Sequence, residues 1–412
     1  MRNKKSSVGF RATLIILTAV LLLTSAGAAA ATEKILYNFK DNNKDGVGPY
    51  ANLVRDSAGN FYGTTLYGGA FADGSVFELT PKTGGGWTEK VLYSFNTNIN
   101  DGIGPYASLI LDSAGNLYGT TLQGGESNAG MVFELKHTAS GKWVEKILYN
   151  FGNSATDGTY PYAGLIFDAA GNLYGTTSAG GANGYGTVFE LTLTKASWKE
   201  TILYNFADNG TDGNNPYSSL TFDAAGNLYG ATGFGGTDSE GTVFELTPSA
   251  GGWTEMILHS FSEVDGYAPF AGVILDSSGN LYGTTLYGGT YDYGTVFELT
   301  PTSGGWTENT LHSFNDNFTD GYFPAAGLIF DSAGNLYGTT VEGGVEDYGI
   351  VFELKPEAGG LWTETLLHSF NDNGKDGFYP SAGVILDASG NLYGATSAGG
   401  VNSEGTVFEI AP

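Results

Sequence analysis

The residues best suited to chemistry are the acids, 43 Asp and Glu against 17 Lys and Arg, for a formal charge of −26. Paired carboxylates can cleave glycosidic bonds, and closely spaced Asp and Asn can hold calcium. Their spacing gives them another role. Seven Asp begin near-identical copies of Asp112-Ser113-Ala114-Gly115-Asn116-Leu117-Tyr118-Gly119-Thr120-Thr121, at 56, 112, 168, 223, 276, 331 and 387. Seven more precede Gly (Asp45, Asp101, Asp157, Asp212, Asp265, Asp320, Asp376), and seven Glu follow Val-Phe, as Glu134 does. A last seven lie in a Trp-type strand (Glu33, Glu89, Glu145, Glu200, Glu255, Glu308, Glu364), so four repeated positions hold 28 of the 43 acids. Most of the charge is therefore expected to be architecture.

Three constellations remain as candidate sites. Asp41-Asn42-Asn43-Lys44-Asp45-Gly46 opens like a calcium loop, with Asp41, Asn43 and Asp45 as ligands. Its twelfth position is Asn52, where such a loop needs a bidentate Glu, so Asx turns are the competing account. Calcium is the only cofactor the sequence suggests. The second set is aromatic: Tyr50, Tyr106, Tyr162, Tyr217 and Phe270 follow the Asp-Gly loop, with Ala325 and Ser381 in the last two copies. Rings beside Asp and Asn suit sugar binding; packing between repeats is the alternative. The third set is scattered over variable loops: Asp73, Glu126, Tyr291, Asp292, Glu346 and Asp347.

Three histidines, His259, His312 and His368, stand where earlier copies have Tyr37, Tyr93, Tyr149 and Tyr204. Equivalent positions in separate repeats lie far apart, so the three are expected in a half-exposed ring on an outer strand and not in one metal site. No Gly-x-Ser-x-Gly elbow, phosphate loop or cysteine occurs, so no catalytic residue is assigned.

The elements that must position these residues are strands. Trp87 to Phe95, Ala107 to Leu111, Asn116 to Leu122 and Met131 to Leu135 read as four short strands. Gly is too frequent for helices, and no helical periodicity appears. Seven such units, 53 to 56 residues apart, match the blades of an all-β, seven-bladed β-propeller. The last copy lacks a Trp-type strand, and one precedes the first copy at Thr32 to Phe39. Pairing the two would close the ring. Alternating connections would put the Asp112-type turns on one face and the variable loops on the other.

Residues 1–30 read as a signal peptide, with basic Arg2, Lys4, Lys5 and Arg11, an apolar Leu14 to Leu23, and small residues Ala26 to Ala31. Residues 31–412 are then the exported propeller, secreted or periplasmic, expected as a monomer. The acidity argues against nucleic acid and anionic membranes, and no membrane contact is expected once the leader is cleaved.

The signature Gly-Asn-Leu-Tyr-Gly-Thr-Thr…Gly-Gly…Gly-Thr-Val-Phe-Glu-Leu, clear in Gly171 to Leu191 and Gly279 to Leu299, resembles the Gloeo/Verruco (GloVer) tandem repeat of bacteria. Its core is also similar to NHL-type propeller repeats. The resemblance implies export and a propeller without assigning chemistry. Three functions stay open: a binding module for glycan or another surface polymer, a polysaccharide lyase or hydrolase using channel-mouth carboxylates, and a protein-interaction scaffold.

Overall fold

In the computed structural model, residues 31–97, 100–195 and 197–411 are described, and they form no α-helix. The expected signal peptide lies outside these residues. No helix among them is long and apolar enough to cross a membrane. Seven four-stranded antiparallel sheets follow one another along the chain. In the second, the inner strand Ile110–Leu111 pairs with Leu117–Thr121, which pairs with Met131–His137, which pairs with the outer Trp143–Asn150. The Trp-type strand is the outermost of each blade, as expected. The inner strand is shorter than the apolar run Ala107 to Leu111 implied, because only two of its residues join the ladder.

Both faces of each blade are buried, which removes the usual apolar–polar alternation. Tyr62, Val76, Leu92 and Phe95 of one blade share a core with Leu109, Leu117 and Phe133 of the next. Gly119 is required at this junction. A Cβ there would lie 2.7 Å from Phe133 Cζ and 2.8 Å from Leu109 Cδ2. Adjacent blades are also joined by polar contacts, as where Thr120 Oγ1 donates to the carbonyl of Ala163 at 3.1 Å.

The ring closes where the termini meet. Thr32–Asn38 is the outer strand of the seventh sheet and runs antiparallel to Thr406–Ala411. The chain is thus a closed seven-bladed β-propeller with no unpaired edge between first and last blades.

The loops on the face opposite the Asp112-type turns carry structure that sequence reading missed. In six units the Asp-Gly segment forms a two-residue ribbon with the segment after the second strand, as Gly102–Ile103 does with Gln123–Gly124. The fifth unit, whose loop is shorter, keeps only the bridge between Tyr267 and Tyr287. These ribbons tie the Asp-Gly segment to the chain just before the variable loop in each of the six units.

Candidate functional site

The repeated acids resolve into two sets of bridges. Asp112 Oδ1 accepts from the backbone N–H of Ala114 and Asn116, both at 2.8 Å, and Oδ2 accepts from Asn116 Nδ2 at 2.7 Å. The Gly115 φ of 81° closes this turn. Tyr118 Oη then sits between Asp112 Oδ2 (3.2 Å) and Glu134 Oε1 (3.1 Å), tying turn to third strand. Burial works against the Asp112 carboxylate, but its hydrogen bonds outweigh that and hold its pKa below the usual value.

The second set joins neighbouring blades at the loop face. Tyr149 Oη lies 3.1 Å from Asp157 Oδ2 and 3.0 Å from Glu200 Oε2, and Glu200 belongs to the next blade's outer strand. Burial, with the nearby Asp157 carboxylate second, raises the Glu200 pKa to about 7. Glu33, Glu89, Glu145, Glu255 and Glu364 are likewise raised to about 7, burial leading in each. The Tyr and His ring is therefore not merely half-exposed surface: His259, His312 and His368 each face the Asp of their own unit, at 3.0, 3.1 and 3.3 Å.

Of the three expected calcium ligands, only Asp45 is buried. Asp45 Oδ1 accepts from the Gly46 N–H at 2.8 Å and Oδ2 from Tyr37 Oη at 2.6 Å, turning the carboxylate into the blade. Asp41 and Asn43 stay exposed. Asn42 shapes the loop instead, its Oδ1 accepting the N–H groups of Lys44 and Asp45 at 3.0 and 2.9 Å. Asx turns shape this loop.

The aromatic set does assemble. Each ring stands where a loop enters an inner strand, one per blade, so five neighbouring blades bring them to a cavity of about 590 Å³ at the loop-side mouth of the central channel. Tyr50 stacks on Tyr106 with centroids 5.4 Å apart, Tyr106 meets Tyr162 at 4.3 Å, Tyr162 meets Tyr217 at 5.2 Å, and Tyr217 meets Phe270 at 5.1 Å. The result is an unbroken arc that leaves Ala325 and Ser381 as the open side. Each ring is half-buried, so packing against neighbours and lining the cavity are not exclusive roles. Burial, then the neighbouring Tyr162, push the Tyr106 phenol far above its ordinary range and keep it a donor.

Sequence reading missed the polar and peripheral parts of this cavity. Asn52, Ser108 and Ser219 line it two residues beyond the aromatic position. Asn52 Oδ1 accepts from the Gly383 N–H at 2.7 Å, and Ser108 Oγ accepts from the Asn52 N–H at 3.1 Å. Phe234, 44% exposed, packs edge-on to Tyr217 and Phe270. The Asn and Ser were findable, because they keep a constant offset from the rings. Phe234 was not, since its loop varies. No carboxylate, imidazole, Lys or Arg is among the residues lining the cavity.

The remaining candidates lie elsewhere on the loop face. Asp73 Oδ2 accepts from the Thr97 N–H and Oγ1, both at 3.0 Å, and Asp292 Oδ1 accepts from the Gly288 N–H at 3.2 Å. Asp347 accepts from Tyr322 Oη. Tyr291, Glu126 and Glu346 are exposed. Asp292 and Glu346 border two separate clefts between neighbouring loops, apart from the central cavity. Arg55, unique in its repeat position, stacks between Phe61 (5.6 Å) and Tyr393 (5.7 Å) at the seam of first and last blades, on the turn face.

Fold and site together define a closed seven-bladed propeller with an aromatic-walled cavity on its axis. The chain belongs to the Gloeobacter/Verrucomicrobia repeat family, whose model matches residues 20–232, 90–276 and 222–412. No curated protein matches it in sequence. Among solved structures it resembles the extracellular domain of BT4673, assigned to a hybrid two-component system of B. thetaiotaomicron, with a TM-score of 0.54 at 12% identity. That match covers 93% of this chain and 42% of the other. It also resembles an ulvan lyase of polysaccharide lyase family PL25, with a TM-score of 0.52, 12% identity, and coverage of 91% and 95%. At these identities the likeness is one of fold.

Proposed function

We propose that the protein is an exported binding module that takes an uncharged glycan or similar surface polymer in its axial cavity. The observation that carries this reading is the five-ring arc, with Asn52, Ser108 and Ser219 beside it, in a cavity whose lining holds no charged side chain. Aromatic faces suit the apolar faces of sugar rings, and the amide and hydroxyl groups suit sugar hydroxyls. The cavity is of ordinary ligand size. Acidic polymers fit poorly: no Lys or Arg lines the cavity to meet a uronate or sulfate, and the surrounding net charge repels anions. Export fits the basic-apolar-small leader and the absence of cysteine.

Binding is favoured over cleavage because the cavity offers no paired carboxylates. A glycan array probed with the mature chain is expected to show neutral oligosaccharides retained and uronate-rich or sulfated ones ignored, with no chain shortening on incubation. Retention of acidic polymers alone, or release of shorter products, would replace this reading with the lyase or hydrolase. Silence across the array would leave the scaffold.

A further inference from the structure

We infer that His368, Asp376 and Glu33, and separately His312, Asp320 and Glu364, are two binding sites for a first-row divalent metal ion of the zinc type. Each trio comes from two neighbouring blades. In the first, His368 lies on the outer strand of the sixth blade, Asp376 on the loop that follows, and Glu33 on the N-terminal strand that closes the seventh. One ligand atom from each residue lies within 4.8 Å of the other two, and the second trio meets the same measure. A tetrahedral zinc site has edges of about 3.4 Å, a contraction within reach of small side-chain rotations.

Two carboxylates of the first site each keep a buried, unpartnered oxygen. Asp376 is 5% exposed. Its Oδ2 faces His368 Nε2 at 3.3 Å and accepts from Asn371, while no donor reaches its buried Oδ1. Glu33 Oε1 is buried and equally without a donor, as is Glu364 Oε1 in the second trio. A buried acceptor left empty is costly, and a cation between two carboxylates removes that cost for both. One imidazole and two carboxylates, with water in the fourth position, is a donor set that zinc accepts.

The other units act as internal controls. Units with Tyr37, Tyr93, Tyr149 and Tyr204 hold similar Asp and Glu pairs but present a phenol, whose pKa burial and adjacent carboxylates push far up. Such a phenol donates to the carboxylates and, keeping its proton, is a poor metal ligand, so the orphan carboxylate oxygens of those units lack the imidazole that completes the site. In the fifth unit His259 faces Asp265, but Glu308 accepts from Thr310 Oγ1 at 2.9 Å and the trio does not close. The expected stoichiometry is therefore two ions per chain, not three and not seven. The ion at Glu33 would fasten the strand that closes the ring.

The test uses the mature full-length chain, stripped with chelator, dialysed against zinc at pH 7.5 and analysed for bound metal. Two zinc equivalents are expected. His312→Tyr and His368→Tyr should each lose one, the double variant both, and His259→Tyr none. Tyr is what four blades already carry at this position, so folding is preserved, and a melting curve in chelator checks it. Zinc should raise the melting temperature of the wild type and leave the double variant unmoved. No zinc retained by the wild type, or equal zinc on the double variant, overturns the proposal in favour of proton sharing or adventitious surface binding.

Discussion

At the scale of single residues, identical chemistry has been divided by position. Asp112 and its six counterparts are turn caps, and their carboxylates are saturated by N–H groups within the same hairpin. Asp112→Ala is expected to cost about 1–3 kcal/mol of stability, read from denaturant unfolding, because several buried donors lose one acceptor. Ligand binding should be unchanged, since the turn lies on the far face. The aromatic candidates were legible because each ring keeps the same offset from an Asp-Gly pair. The bridges between Tyr149, Asp157 and Glu200 were not: Glu200 reaches them from the next blade, and spacing along one unit carries no trace of that contact. The surroundings of the calcium-like motif were only partly legible for a related reason. Its Asp45 accepts from Tyr37, eight residues upstream, as well as from the Gly46 N–H of its own loop.

At the scale of elements, the propeller was readable from the period and from the strand that migrates from the last unit to the first. That strand makes a prediction of its own. Removing residues 31–38 uncovers Thr406–Ala411, the third strand of the seventh blade, along its whole ladder. The truncated chain is expected to melt earlier and to self-associate as its concentration rises, measurable by scanning calorimetry and light scattering. An unchanged melting curve would mean that the ring does not depend on this pairing. The two-residue ribbons on the loop face were not readable. Segments as short as Gly102–Ile103 carry no periodic signal, and their pairing is imposed by the blade beneath.

At the scale of the whole molecule, the seven interblade Glu couple the fold to pH. Burial first, and in most cases a neighbouring carboxylate next, raise six of them to about 7 and Glu308 in the same direction. A raised carboxyl binds its proton more tightly folded than unfolded, so its stabilisation is complete below the unfolded value and is lost as pH rises through about 7. These groups remain partly solvated, which limits each to on the order of 1 kcal/mol. The turn Asp act oppositely. Asp56, Asp112, Asp223, Asp331 and Asp387 are lowered by hydrogen bonds that outweigh burial, and their contribution is lost as pH falls through those low values. In chelator, the melting temperature is thus expected to peak in mildly acid solution, between the two ranges, and to fall from pH 6 to pH 8. A melting temperature that rises over that interval would show that the interblade Glu are ionised in the folded ring.

The same molecule places a neutral, aromatic cavity on the axis of a strongly acidic ring, and glycan recognition there is the central claim. It is tested most directly by calorimetric titration of a neutral oligosaccharide against the wild type, Tyr106→Ala, Ala325→Tyr and Glu126→Ala. Tyr106→Ala breaks the arc, and Ala325→Tyr closes the open side with a ring that four other blades carry there. Loss of one stacked ring corresponds to about 1 kcal/mol or more, so affinity should fall at least about fivefold in Tyr106→Ala. It should fall further in Ala325→Tyr and hold in the exposed-loop variant Glu126→Ala. Undiminished binding in both cavity variants, or loss confined to Glu126→Ala, would contradict the account.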